Sequence, residues 1–485
     1  MCAWLLSLAA FALHLFVASH ANFAGFAADD ALYLMMADAL SPYSQPDVAA
    51  IYVGEVSHLP PFYPFLLALV GAGSEQIDIA HVLQVVLFIV GLGAVMAVAA
   101  RVIGNPWVGI GLFSVFALSP YALILNTQIW SEFCFIALCY GGLLAVIERP
   151  KEFAPFAIAA FAFGLLAVTR GLGVAAIFAL ITVVIVERRR YLIPVVLLAL
   201  LPSIVTKALG FGGVSHYFEI FNSYILQFSL WDLLRENSVQ LWRGWIRVFD
   251  RHERLMTHVI SAAVLLFVIL GLTRRLRELR IDALFTVAYL MLLFLWPFPN
   301  AMSRLLFPIT PLLLIYACHG LVGALWIPRI ARLPAALSVT LIFSAISLSS
   351  SAPLVRNVFR ELPGELAYLR ASGYWLEVDD PAQALASLRR RHALIKTAKV
   401  AETIVPYDQC IYSLRPQLVM FYARRPSFGA APSRERGSAP VCRYHMVFND
   451  SSLLQEQALL WPDREVVHTE SVDGDTVGVL VHYSP

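Results

Sequence analysis

Ile79-Ala80-His81-Val82-Leu83-Gln84-Val85-Val86-Leu87-Phe88-Ile89-Val90-Gly91-Leu92-Gly93-Ala94-Val95-Met96-Ala97-Val98-Ala99-Ala100 contains not one Asp, Glu, Lys or Arg. A helix needs about 20 such residues to cross a hydrocarbon core of roughly 30 Å, so this run can span a bilayer. Comparable runs recur near 2–20, 107–125, 132–147, 155–169, 171–186, 191–208, 257–273, 282–298, 304–322 and 333–350. Composition agrees: of 485 residues, 59% are hydrophobic and 14% charged, against roughly a quarter charged in an ordinary soluble domain. The sequence predicts an α-helical polytopic membrane bundle with about eleven transmembrane helices.

The pattern changes at Pro353, beyond which charges are spread throughout. Residues 1–352 read as the transmembrane domain and 353–485 as a small α/β domain with its own core. Within the latter we expect helices over Pro381–Lys396 and Pro416–Arg425 and strands over Cys410–Ser413, Tyr444–Phe448 and Val477–His482. Lysine plus arginine number 35 and aspartate plus glutamate 33, a net +2. That balance leaves no electrostatic footprint for nucleic acid.

Orientation follows from arginine placement, because basic residues are retained on the cytoplasmic side. Alternate connections hold Arg101, then Arg149 and Lys151, then Arg188 to Arg190, then Arg274, Arg275, Arg277 and Arg280, then Arg329 and Arg332. The opposite set opens with the loop 20–78, which has no lysine or arginine. The N-terminus is therefore expected in the cytoplasm, with loops 20–78 and 209–256 and the C-terminal domain outside, on the exoplasmic or periplasmic face of a plasma or inner membrane. Loop 209–256 carries five arginines, but long loops weigh little in this rule. Its Trp231, Trp242 and Trp245 suit an interfacial anchor, with acceptor or donor binding as the sharper reading. No basic residue precedes the apolar run Cys2–Val17, so it reads as a retained helix rather than a signal cleaved near Ala21. Cys2, Cys134, Cys139 and Cys318 read as packing residues. Cys410 and Cys442, in the outer domain, are expected to form a disulfide.

The chemistry-bearing residues concentrate in the outer loops. In Asp29-Asp30-Ala31-Leu32-Tyr33-Leu34-Met35-Met36-Ala37, a helix starting at the acidic pair puts Asp29, Tyr33 and Ala37 on one face. The acids then occupy the favourable first turn, either as a cap or with one carboxylate serving as a general base. In His58-Leu59-Pro60-Pro61-Phe62-Tyr63-Pro64 the two paired prolines forbid a helix at that point and fix an extended or turned elbow; His58 is there a candidate phosphate or metal ligand. Glu132, Arg170 and Arg304 stand where apolar segments begin or end. A charge at such depth costs a few kcal/mol unless paired, which makes each a functional candidate; snorkelling is the competing account.

Together these stretches resemble the GT-C class of polytopic glycosyltransferases, in particular the branch of protein O-mannosyltransferases and lipid A aminoarabinose or galacturonic acid transferases. The likeness rests on Asp29-Asp30 with Tyr33 and Ala37 after the first helix, and on His58 to Pro64. It is supported by Ser131-Glu132, Ala167-Val168-Thr169-Arg170 and Arg304-Leu305-Leu306-Phe307-Pro308. It implies a sugar donor on a polyprenyl phosphate, a hydroxyl acceptor on a lipid, glycan or protein, and Asp29 as the base that deprotonates the acceptor. Asp30 would orient a sugar hydroxyl or tune its neighbour, Tyr33 and His58 would line the site, and Arg304 or Arg170 would meet the phosphate. Aminoarabinose transferases usually place a lysine before the paired prolines, where this chain has Leu59, so the resemblance carries no phosphate contact from that position and does not fix the sugar. A divalent ion on Asp29, Asp30 and His58 stays open, without ligand spacing to assign one. The main rival is a transporter or flippase of lipid-linked or small solutes. An absent internal repeat and the large outer domain weigh against it.

Overall fold

In the computed structural model the apolar run at 79–100 lies within one helix, Ile77–Ile103 (α5), closed by Gly104 in the left-handed conformation. The structure describes residues 2–26, 29–43, 45–56, 59–147, 152–186, 193–211, 229–324, 327–413, 415–429, 442–448 and 464–483. Before α5 come α1 (Cys2–Ala18), α2 (Asp29–Leu40), α3 (Val48–Val56) and α4 (Phe62–Leu69). After it come α6 (Pro106–Ala117), α7 (Pro120–Leu125), α8 (Glu132–Ile147), α9 (Phe153–Ala167), α10 (Val174–Val186) and α11 (Ile193–Ala208). Then follow α12 (Leu230–Phe249), α13 (Leu255–Arg277), α14 (Ile281–Phe294), α15 (Met302–Leu306), α16 (Thr310–Val322) and α17 (Arg329–Val358).

Every expected apolar segment is helical over most of its length. Two are broken: 107–125 divides at Ser119-Pro120, where Ser119 caps α7 by accepting from the Ala122 N–H, and 304–322 divides around Phe307-Pro308. Proline supplies no N–H and presets the first helical turn, which explains both breaks. Four helical stretches, Ile77–Ile103, Leu255–Arg277, Pro299–Val322 and Arg329–Val358, are long and apolar enough to cross a membrane. Their outward residues are apolar too, as at Val86 and Val90, Leu265 and Ile269, and Leu341 and Leu348, the pattern of helices that face lipid. The composition change at Pro353 falls inside α17, which continues to Val358.

Helices α13 and α16 touch through Gly271 and Gly320, where an added side-chain carbon would run into the backbone carbonyls of Tyr316 and Phe267. Such close approach of small residues maximises dispersion contact where lipid offers no hydrophobic drive. Beside it, Arg274 donates to the Gly323 carbonyl and Arg275 forks onto Asp282 with both bonds at 2.6 Å. The arginines of α13 and of the start of α17 thus share one end of the bundle.

The C-terminal domain sits at the other end. There Arg251, just before α13, donates to the carbonyls of Leu376 and Glu377. It contains α18 (Gly373–Glu377), α19 (Pro381–Ile404), α20 (Pro416–Ala423) and a sheet of five strands in the order β2-β1-β3-β5-β4. Strand β1 (Ile411–Ser413) pairs in parallel with β2 (Ser427–Phe428) and β3 (Tyr444–Phe448), whereas β5 (Asp475–Tyr483) runs antiparallel to β3 and β4 (Arg464–Val472). The β4–β5 hairpin turns on Asp473-Gly474, both at positive φ, the residues a two-residue turn of this hand demands. Cys410 and Cys442 form the expected disulfide.

Candidate active site

Helix α2 begins at Asp29, so the acidic pair occupies its first turn. The two acids have different surroundings. Asp30 is fully buried, and its Oδ1 accepts from the N–H groups of Gly25 (3.0 Å) and Ala31 (2.8 Å); it pins the turn ahead of the helix. Asp29 is 24% exposed, and its Oδ2 lies 2.9 Å from Nη1 of Arg304. One turn on, Tyr33 is buried with its hydroxyl 3.1 Å from Oγ of Ser131 and its ring edge-on to Tyr63. Burial, together with the nearby Asp29 carboxylate, pushes the Tyr33 phenol well above its ordinary range, so it serves as a hydrogen-bonding group and not as an anion.

The charged candidates from distant parts of the chain converge here. Glu132, the first residue of α8, is 2% exposed; its Oε1 pairs with Nη1 of Arg170 and stands 3.1 Å from Nε of Arg304. Asp29, Arg304, Glu132 and Arg170 thus form a chain of alternating charge, two acids against two arginines. Pairing of this kind is what allows four charges to lie in a poorly hydrated place. Glu132 and Arg170 do not reach outward: their charged atoms are buried on one another.

Local folding explains each position. Arg170 follows α9, where its N–H still bonds the Leu166 carbonyl. Past the two prolines of the elbow, the Phe62 N–H donates to the Val168 carbonyl and brings Leu59 and Pro60 against Arg170. Arg304 lies on α15, which is tied to α14 by Tyr289 Oη donating to the Leu305 carbonyl. On its other side α12 packs with Gly244 against Ser303. Helix α12 is strongly amphipathic: Trp231 is exposed, whereas Trp245 is buried against Phe249 and Phe343. Trp245 therefore belongs to the core, Trp242 is half-buried with its Nε1–H donated to His258 Nδ1, and Trp231 is exposed.

A small cleft of about 30 Å³ opens on this cluster, lined by Asp29, Tyr33, Leu59, Pro60, Arg170 and Arg304 among others. Trp130 was missed by sequence reasoning; its ring lies 4.2 Å beneath the Arg304 guanidinium. The only signal was its place two residues before Glu132. Trp296, also in the lining, sits in Trp296-Pro297-Phe298-Pro299, a proline-broken end that marks a non-helical approach. His58 lies outside the described residues. Among the described residues no group of three or more His, Cys, Asp or Glu stands close enough to hold a metal ion.

The C-terminal domain reaches the same region. The Ala24 N–H donates to the Tyr422 hydroxyl at 3.3 Å, and Arg424 Nη1 bonds Ser74 Oγ at 2.6 Å and Asp47 Oδ2 at 3.3 Å. Asp38, on the last turn of α2, in turn accepts from the Ser74 N–H. Helix α20 therefore braces both ends of α2.

No protein-family model matches the chain, and no curated protein matches it in sequence. Solved structures do. ArnT from Cupriavidus metallidurans bound to undecaprenyl phosphate superposes with a TM-score of 0.55 at 14% identity, over 98% of this chain and 97% of that one. Its apo state gives 0.53 at the same identity and coverage. The archaeal oligosaccharyltransferase AglB from Archaeoglobus fulgidus gives 0.48 at 13%, over 92% of this chain and 69% of that one. Over 98% of its length the chain shares the fold of the ArnT structures.

Proposed function

We propose that this protein is a membrane glycosyltransferase that moves a sugar from a polyprenyl-phosphate donor to a hydroxyl of a lipid, glycan or protein acceptor. One observation carries the reading: a partly exposed carboxylate, Asp29, and a guanidinium, Arg304, meet at 2.9 Å in a cleft at the end of an apolar bundle. Transfer from a phosphate leaving group needs a base on the acceptor side and fixed positive charge on the phosphate side, with an oxocarbenium-like sugar between them. Asp29 is the base, and Arg304, backed by Arg170, meets the phosphate with a fork that suits it. Asp30 holds the turn that aims Asp29, Tyr33 donates from the cleft wall, and Glu132 fixes both arginines. The undecaprenyl phosphate in the ArnT structure of the same fold supports a donor of that class.

In this reading the arginine-rich end of the bundle faces the cytoplasm, as does the N-terminus, and about eleven helices cross the membrane. The cleft and the C-terminal domain face outward. An isoprenoid donor explains why the reaction uses a lipid-embedded bundle, since the tail stays in the bilayer while the sugar reaches the aqueous side.

The test is transfer by the full-length protein in membranes given a radiolabelled polyprenyl-phosphate sugar. Asp29→Asn keeps the shape and removes the base, so incorporation should fall about 10²-fold or more. Unchanged turnover would remove Asp29 from the mechanism.

A further inference from the structure

The cleft contains a conflict. The Asp29 oxygen that would accept the acceptor's proton is occupied by Nη1 of Arg304, the group that would receive the donor's phosphate. Arg304 already spends Nη1 on Asp29 and Nε on Glu132, so a phosphate taken on the Nη1 side displaces the Asp29 carboxylate. The four charged side chains also sum to zero, so an arriving phosphate anion enters a site with no spare cation among them.

The geometry shows which contact gives way. Arg170 and Glu132 face each other at 9% and 2% exposure, a dry pair whose separation would strand a buried charge. Arg304 and Asp29 are 20% and 24% exposed, so water can replace either partner at lower cost. Arg304 is further held at two points that do not involve Asp29: Nε on Glu132 at 3.1 Å and the guanidinium carbon over Trp130 at 4.2 Å. An aromatic face tolerates sliding of the cation in its plane. The terminal nitrogen can therefore change partner while the arm stays tethered.

Resting on the glycosyltransferase reading, we propose that Arg304 is an exchange cation: it holds Asp29 until the donor enters, then passes to the donor's phosphate and so releases Asp29 Oδ2 as the base. In the transfer that follows, the acceptor oxygen bonds the anomeric carbon and its proton moves to Asp29. The bond from that carbon to the phosphate oxygen breaks, and the leaving phosphate keeps the electron pair. The base is thereby freed only when a donor is present.

The experiment measures binding of undecaprenyl phosphate to the purified full-length protein in nanodiscs, for wild type, Asp29→Asn, Arg304→Gln and the double variant. Exchange predicts that Asp29→Asn, which no longer competes for Arg304, binds about tenfold tighter (about 1.4 kcal/mol), and that this gain vanishes once Arg304 is glutamine. A gain of equal size in the Arg304→Gln background would mean that Asn merely relieves repulsion between Asp29 and phosphate, and would overturn exchange. So would an Asp29→Asn variant that binds no tighter than wild type. If the wild type itself binds no undecaprenyl phosphate, the donor assignment falls. If it binds and Asp29→Asn gains nothing, only the exchange falls.

Discussion

A side-chain carbon added to Gly25 would stand 2.9 Å from Cα of Leu418, so the turn before the Asp29 helix and helix α20 of the C-terminal domain meet backbone against backbone. Gly25 also has φ +90° and donates its N–H to Asp30. Three demands fall on one residue: a left-handed backbone, close approach, and a bond that fixes the acidic pair.

Gly25→Ala is accordingly expected to cost about 2 kcal/mol or more, from positive-φ strain and displacement of α20. The thermal unfolding midpoint of the full chain should fall. Transfer should fall by more than the unfolded fraction accounts for, because the turn positions Asp29. Activity retained in step with the folded fraction would argue against that positioning.

Glu132 and Asp29 separate stability from chemistry. Glu132→Gln leaves Arg170 and Arg304 without their shared buried counter-charge, so roughly 3 kcal/mol of stability should be lost along with transfer. Asp29→Asn, at a partly exposed pair, should change stability by less than about 1 kcal/mol while abolishing most transfer. Paired melting curves and single-turnover assays on the two variants check this. Equal destabilisation would place both acids in the same structural role.

How much of this was legible in the sequence depends on range. The Asp29–Tyr33–Ala37 face was readable because helix spacing is local, and the start of α2 at the acidic pair follows the ordinary preference for acids in a first turn. Glu132, Arg170 and Arg304 stood out because charge within apolar sequence is expensive. Their mutual pairing was not readable: residues 29, 132, 170 and 304 have no sequence relation that periodicity can express. Trp130 and Trp296 were hidden for a different reason, since an apolar residue lining a cleft looks like one facing lipid. The breaks at Ser119-Pro120 and Phe307-Pro308 carried local proline signals that the long apolar runs outweighed. Strands β1, β3 and β5 were readable because each is a short β-branched or aromatic run between turn residues, whereas the two-residue β2, the charge-rich β4 and the sheet order, set by long-range pairing, were not.

His445 offers a test confined to the C-terminal domain. It lies on the central strand β3, opposite Tyr412 and Val481, and is 6% exposed. Burial holds its imidazole down at about 4 from the usual 6.5. In the unfolded chain the ring takes up a proton near its ordinary value, so between these two values the unfolded state binds more protons and stability rises with pH. The contribution is fully present above about pH 7 and is lost as pH falls through 6.5 toward 4, by at most about 1.4 kcal/mol per pH unit. His445→Gln removes the titration, so melting midpoints measured between pH 7.5 and 4.5 should decline less steeply in the variant than in wild type. Parallel slopes would mean that the ring is protonated, or reaches water, in the folded protein.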